Sequence, residues 1–143
     1  MSTVLPVKTP DFLDALHSRV LIGDGAMGTQ LQGFDLDVET DFLGLEGCNE
    51  ILNDTRPDVV AQIHRAYFTA GADLVETNTF GCNLPNLADY NIADRCQELA
   101  YKGTRIARTV ADELGPGRDG MRRFVLGSMG PGTKLPSLGH APY

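Results

Sequence analysis

The chain has 143 residues, 42% of them hydrophobic and 22% charged, and its 19 acidic and 12 basic side chains give a formal net charge of −7. That size suits one ordinary globular domain, and no apolar run reaches the roughly 18 residues that a membrane span needs. Lys8, Lys102 and Lys134 are the only lysines. With no basic stripe, nucleic acid and anionic membranes are excluded as expected partners. The amino terminus has no basic segment leading into an apolar one, so a secretory signal is not expected and the cytoplasm is.

Residues 1–8 carry no pattern. Thr9-Pro10-Asp11 reads as a helix start, with Thr9 as N-cap and Pro10 at the first helical position. Phe12, Leu13 and Leu16 would form that helix's apolar face, and it ends near His17-Ser18. Val20-Leu21-Ile22 then reads as a buried strand stopped by Gly23-Asp24-Gly25. The residues just past such a strand face the ligand crevice of α/β proteins. Asp24, between glycines that let backbone amides approach a ligand, is therefore a candidate binding residue. The plainer alternative is a tight turn with Asp24 capping a helix. A short helix over 29–32 stops at Gly33, and residues 34–55 show no sustained period. A connection that long points to a loop folding over a site, or to partial disorder.

Thr55-Arg56-Pro57-Asp58 predicts another helix start, with Thr55 capping. Val59, Ile63, Ala66, Tyr67 and Ala70 mark its apolar face, and Gly71 ends it. His64, one position off that stripe, is expected to be exposed or interfacial. Residues 72–80 predict a second strand, ended by Gly81. Alternation puts Glu76 and Asn78 on one face of it. Either something polar meets them there or they bond neighbouring loop backbone. After a loop or helical turn over 83–90, a long helix runs from Ile92 through Cys96, Leu99, Gly103, Ile106, Ala107, Val110 and Leu114. Gly115-Pro116-Gly117 stops it, 116–122 is an exposed turn, and Arg123-Phe124-Val125-Leu126 predicts a third strand. Residues 133–143 read as a loop.

Three widely spaced cysteines, Cys48, Cys82 and Cys96, with no CxxC, argue against a disulfide framework. A metal site gathered by the fold from all three stays open, though Cys96 has the helical spacing of a core residue.

Helices alternate with strands whose ends are small and polar. This predicts an α/β fold with a parallel sheet, its polar strand ends converging on one rim. In a (β/α)8 TIM barrel that rim carries the site, and a whole barrel takes roughly 250 residues. The expectation is thus the amino-terminal part of such a barrel, about three βα units. Residues 1–18 form an extension and helix, and 19–143 the partial barrel. The unpaired edge of the third strand predicts marginal stability or self-association.

Three segments, DGAMGT at 24–29, GCNEILNDTRPDVVAQIHRAYFTAGADLVETNTF at 47–80 and GSMGPGTKLPSLGH at 127–140, carry a family resemblance. Together they resemble the amino-terminal homocysteine-binding module of the cobalamin-dependent methionine synthases, within the wider homocysteine S-methyltransferase family. The resemblance implies a (β/α)8 barrel in which zinc, held by three cysteine thiolates, binds the homocysteine sulfur. The resulting thiolate takes the methyl group of methylcobalamin, which methyltetrahydrofolate restores. It further implies that Asp24, Gly25, Ala26 and Met27 meet the amino-acid end of homocysteine, that Glu76 and Asn78 line the same pocket, and that Ser128 joins them. Asp24 and Glu76 suit an ammonium group, and the amides of 25–27 a carboxylate. The zinc cysteines of that family include a Cys-Cys pair from later strands. This chain has no such pair, so Cys48, Cys82 and Cys96 take no zinc role and no catalytic residue is assigned. Zinc and cobalamin are expected only with the folate, cobalamin and reactivation modules of a full-length polypeptide, and methyl transfer is not expected from this segment alone. Two alternatives stand beside this: a related enzyme using betaine or S-methylmethionine as donor, and a self-associating α/β binding module.

Overall fold

Residues 11–134 are described by a computed structural model, Asp119 by its backbone alone. Helix α1 (Phe12–Ser18) starts two residues later than the Thr9-Pro10 signal suggests, and both of those residues lie outside the described range, as do 135–143. Its cap is Asp11. The Asp11 carboxylate accepts from Asp14 N at 2.9 Å, and the Asp14 carboxylate accepts in turn from Asp11 N at 3.3 Å. This reciprocal pair satisfies two otherwise orphaned amides. The apolar face is also rotated. Leu13 and Leu16 are 63% and 47% exposed, whereas Ala15 is buried and Phe12 meets Phe124 edge-on at 5.3 Å between ring centroids.

The first expected strand does not form a ladder. Ile22 O accepts from both Asp73 N at 2.8 Å and Leu74 N at 3.3 Å, and Ile22 N donates to the Asp73 carboxylate at 2.8 Å. A side chain takes the bond that a neighbouring strand would repeat, so 20–22 runs beside the sheet without joining it. Val20 and Ile22 are exposed. Two strands remain among the described residues, β1 (Leu74–Glu76) and β2 (Phe124–Leu126), paired in parallel with Leu74 opposite Phe124 and Glu76 opposite Leu126.

Beyond α2 (Met27–Leu31), residues 34–48 are turns ordered by their own side chains. Asp37 Oδ1 accepts from Thr40 N and Thr40 Oγ1 at 2.8 and 3.0 Å, and Asp41 accepts from Asp37 N at 2.9 Å. Contrary to the aperiodic reading of 34–55, its last third is helical: a 3₁₀ turn at Asn49–Ile51 and α3 (Leu52–Thr55). Thr55 caps nothing. Its hydroxyl donates to Asp41 O at 2.5 Å and Ile51 O at 3.2 Å, and α4 (Pro57–Ala70) begins after Arg56 with no side-chain cap. Pro57 at the first position tolerates that start, because it has no amide to satisfy. The buried stripe of α4 is Val59, Val60, Ile63, His64 and Phe68, so Ala66 and Ala70 face solvent. Gly71 closes the helix at φ +112°, a left-handed conformation that favours glycine.

Two further helices form the crossover from β1 to β2: α5 (Leu84–Asp89), capped by Asn83, and α6 (Cys96–Leu114). Phe68, Ala72 and Val75 pack with Ala107, Val110 and Ala111 behind the sheet. Ile51, Leu52, Val59, Ile63, Leu87 and Leu99 form the larger core towards the site. Each such side chain fully withdrawn from water contributes about 1.5–3 kcal/mol. At the opposite end Asp73 is held by Arg19 through two bonds of 2.7 Å and by Arg118 at 3.1 Å. Arg19 in particular holds the Asp73 carboxyl down at about 2, against the opposing effect of burial.

Candidate functional site

The expected second strand ends early, at Glu76, because its continuation is stitched to 127–130 by side chains. Thr77 Oγ1 and Thr79 Oγ1 share a hydrogen at 2.6 Å, Thr79 Oγ1 donates to Ser128 O at 2.8 Å, and Ser128 N donates to Thr77 Oγ1 at 3.0 Å. Gly130 N donates to Phe80 O at 2.9 Å. This break in the alternation separates Glu76 from Asn78. Glu76 is exposed and accepts from Ser128 Oγ at 3.0 Å. Asn78 is buried, and its amide donates to Asn49 O at 2.9 Å and Asn53 Oδ1 at 3.0 Å. The two thus differ in exposure and partners, although both line the same cavity.

A cavity of about 390 Å³ nonetheless gathers Asp24, Gly25, Ala26, Met27, Glu76, Asn78 and Ser128, together with Gly28, Asn49, Glu50, Thr77 and Phe80. Asp24 does not cap α2, whose N-cap is Ala26. Its carboxylate accepts instead from Glu76 N at 3.1 Å, so the two acidic residues are neighbours. Burial raises the Asp24 pKa, the bond from Glu76 N lowers it, and the Glu76 charge raises it again. Among the described residues no lysine or arginine lines the cavity. Two carboxylates with no cation between them favour a ligand that brings positive charge. Tyr67 of α4 supports the 24–28 turn by donating to Ala26 O at 3.2 Å, and a Cβ on Gly25 would stand 3.0 Å from that phenol oxygen.

Below the cavity Asn53, buried, donates to Asn78 O at 2.7 Å and Leu99 O at 3.2 Å. Gly103 of α6 makes room for it, since a Cβ there would lie 2.6 Å from Asn53 Nδ2. Sequence reasoning missed Asn49, Glu50, Asn53, Tyr67, Thr77 and Phe80. The ETNTF run pointed at the last two only as strand ending, and nothing local marks the asparagines, whose partners lie 25 or more residues away.

The three cysteines are free and converge on the larger core, Cys48 within it and Cys82 and Cys96 packed against it. Burial raises the Cys48 thiol and pushes Cys82 up to about 12, with the Glu50 charge adding to both. Among the described residues no group of three or more His, Cys, Asp or Glu is arranged to hold a metal. The zinc site that the resemblance implies therefore does not fit the residues present. His64, expected at the surface, is fully buried. Neither ring nitrogen has a hydrogen-bond partner, and burial lowers its pKa to about 4. Among the described residues no helix is long and apolar enough to cross a membrane.

The family described as homocysteine S-methyltransferase matches residues 21–143. The chain is 70% identical over 134 residues to a methionine synthase of Mycobacterium tuberculosis (strain ATCC 25618 / H37Rv) and 66% identical over 133 residues to one of Mycobacterium leprae (strain TN). Each match covers 93% of the chain but only 11% of the relative's length. In architecture the chain is similar to the homocysteine methyltransferase MmuM from Escherichia coli. The oxidized form superposes with a TM-score of 0.67 at 22% identity, over 85% of this chain and 41% of that one. The metallated form gives 0.65 at 21% identity, over 82% and 40%.

Proposed function

The chain belongs to the homocysteine S-methyltransferase family, and on that premise we propose that it supplies the amino-acid end of the homocysteine pocket of a cytoplasmic methionine synthase. The observation that carries this reading is the cavity, with no lysine or arginine among its described lining residues, in which Asp24 and Glu76 stand together at the end of β1. In this reading the two carboxylates receive the homocysteine ammonium, and the amides of 25–27, spaced by glycine and braced by Tyr67, receive its carboxylate. The Ser128 hydroxyl fixes Glu76. These groups bind and orient the substrate and take no proton from its thiol. Zinc, cobalamin and the methyl donor belong to other parts of a longer polypeptide, together with its folate and reactivation modules. This chain alone transfers no methyl group. Fusion to those parts would also cover the exposed 20–22 edge. Residues 1–18 act as an extension, and 19–143 as the barrel portion.

Titration of the isotopically labelled chain with homocysteine, followed by amide NMR, tests the assignment. Shifts concentrated at 24–28, 76–78 and 128 are expected, and Asp24→Asn should weaken binding several-fold. Shifts confined to other surfaces, or none at millimolar homocysteine, would refute it.

A further inference from the structure

The cavity has one aromatic wall. Phe80 is 61% exposed, yet its backbone and that of Gly81 after it are held by three hydrogen bonds. Gly130 N donates to Phe80 O at 2.9 Å. Next to it, Gly81 N donates to Glu50 Oε1 at 2.7 Å, and Gly81 O accepts from Asn86 Nδ2 at 3.0 Å. No side chain fits there: a Cβ on Gly81 would lie 2.6 Å from both Glu50 Oε1 and Asn86 Nδ2, and one on Gly130 would lie 2.5 Å from Phe80 O. Glu50 is itself only 7% exposed. No lysine or arginine pairs with it among the described residues, and its other oxygen sees only the Cys48 thiol at 3.9 Å. A buried carboxylate without a counter-ion is costly, and here its strongest bond fixes the residue after Phe80. Phe80 and Glu50 also form a shared wall, since both line a second cavity of about 330 Å³ that Asp24 and Glu76 do not reach.

We propose that Phe80 is a specificity-determining residue, the wall against which the sulfur-bearing arm of the substrate lies, and that Glu50 is its positioning residue through Gly81. The inference rests on the proposed homocysteine pocket. With the ammonium placed at Asp24 and Glu76, the two methylenes and sulfur of the substrate need an apolar, polarizable surface. Among the described residues Phe80 is the aromatic side chain that lines the cavity, and sulfur lies favourably against an aromatic ring.

The test compares homocysteine with 2-aminobutyrate, which keeps the ammonium and carboxylate and lacks the sulfur. Both are titrated into the same chain and read by amide NMR. The wild-type chain is expected to prefer homocysteine by about fivefold. Phe80→Ala, at an exposed position outside the core, should bring that ratio close to one while leaving 2-aminobutyrate affinity within about twofold. Glu50→Met should lower the ratio in the same way. Glu50→Gln, which keeps an acceptor for Gly81 N, should restore it. A Phe80→Ala chain that discriminates as well as wild type, or that loses both ligands equally, overturns the inference while the pocket assignment stands. A wild-type chain that binds neither ligand overturns both.

Discussion

His64 should make this chain acid-sensitive well above the range where carboxylates titrate. In the folded chain its imidazole is fully buried, with neither nitrogen bonded, and its pKa is lowered to about 4 from the ordinary 6.5. The unfolded chain therefore binds a proton at this residue as pH falls through 6.5, while the folded chain stays neutral until about 4. Stability is full above 6.5, falls across the window from 6.5 to 4, and levels below it as far as this residue is concerned. The 2.5-unit difference between 6.5 and 4 corresponds to about 3 kcal/mol. A loss of that size is a large part of the total stability of a small domain. His64→Leu keeps similar bulk, removes the two unbonded nitrogens and abolishes this titration. Urea unfolding of both chains at pH 7, 6, 5 and 4.5, read by circular dichroism, should show the variant's advantage growing by 2–3 kcal/mol towards the acid end. A gap that stays constant within about 0.5 kcal/mol would refute the reasoning. So would an NMR titration of His64 in the folded chain centred near its ordinary value.

Asp73→Asn strips charge from a carboxylate held by Arg19 and Arg118. Breaking a buried pair costs about 3–5 kcal/mol; chemical denaturation at pH 7 should show the loss, and it should shrink below pH 4, where the native carboxyl held near 2 no longer gives its full advantage. Gly103→Ala drives a Cβ to 2.6 Å from Asn53 Nδ2 and 2.9 Å from Thr79 Cγ2. It should cost about 1–3 kcal/mol by thermal melting and weaken homocysteine binding through the cavity floor, whereas Gly71→Ala should cost stability alone. Homocysteine affinity should rise with pH as Asp24 ionises, because its pKa is raised, and Asp24→Asn should flatten that dependence. The exposed segment at Val20 and Ile22, beside a two-stranded sheet, predicts concentration-dependent self-association. A single monomeric species in sedimentation across a hundredfold concentration range would count against it.

What was legible in the sequence is what the chain punctuates locally. Gly71 and Gly115 end α4 and α6, the heptad-like run from Leu99 to Val110 gives the buried face of α6, and Phe124–Leu126 is a strand. Asp24, Gly25, Ala26, Met27 and Glu76, which the family resemblance singled out, line one cavity. The rest depends on partners remote in sequence. Asp73 takes the amide of Ile22 and so keeps 20–22 out of the ladder. Thr77 and Thr79 turn to 127–130 and so break the period-two pattern before Asn78. Glu50 looks like one more acid in an acidic loop until Gly81 arrives 31 positions later. His64 is polar by composition and buried by the angular position of α4, an offset of one residue that periodicity could not resolve.

The Asp73 cluster has a consequence for synthesis. Its two arginines lie on opposite sides of it in the chain, Arg19 54 positions earlier and Arg118 45 positions later. As the nascent polypeptide leaves the ribosome, Arg19 is already present when Asp73 emerges, so the amino-terminal helix can dock on the first strand at once. Arg118 follows only after roughly 2–9 seconds at ordinary elongation rates. Through that interval β2 does not exist, and Thr77 N, which later donates to Leu126 O, lies open along the edge of β1. The same carboxylate that secures the finished fold thus marks a timed interval of vulnerability during its birth.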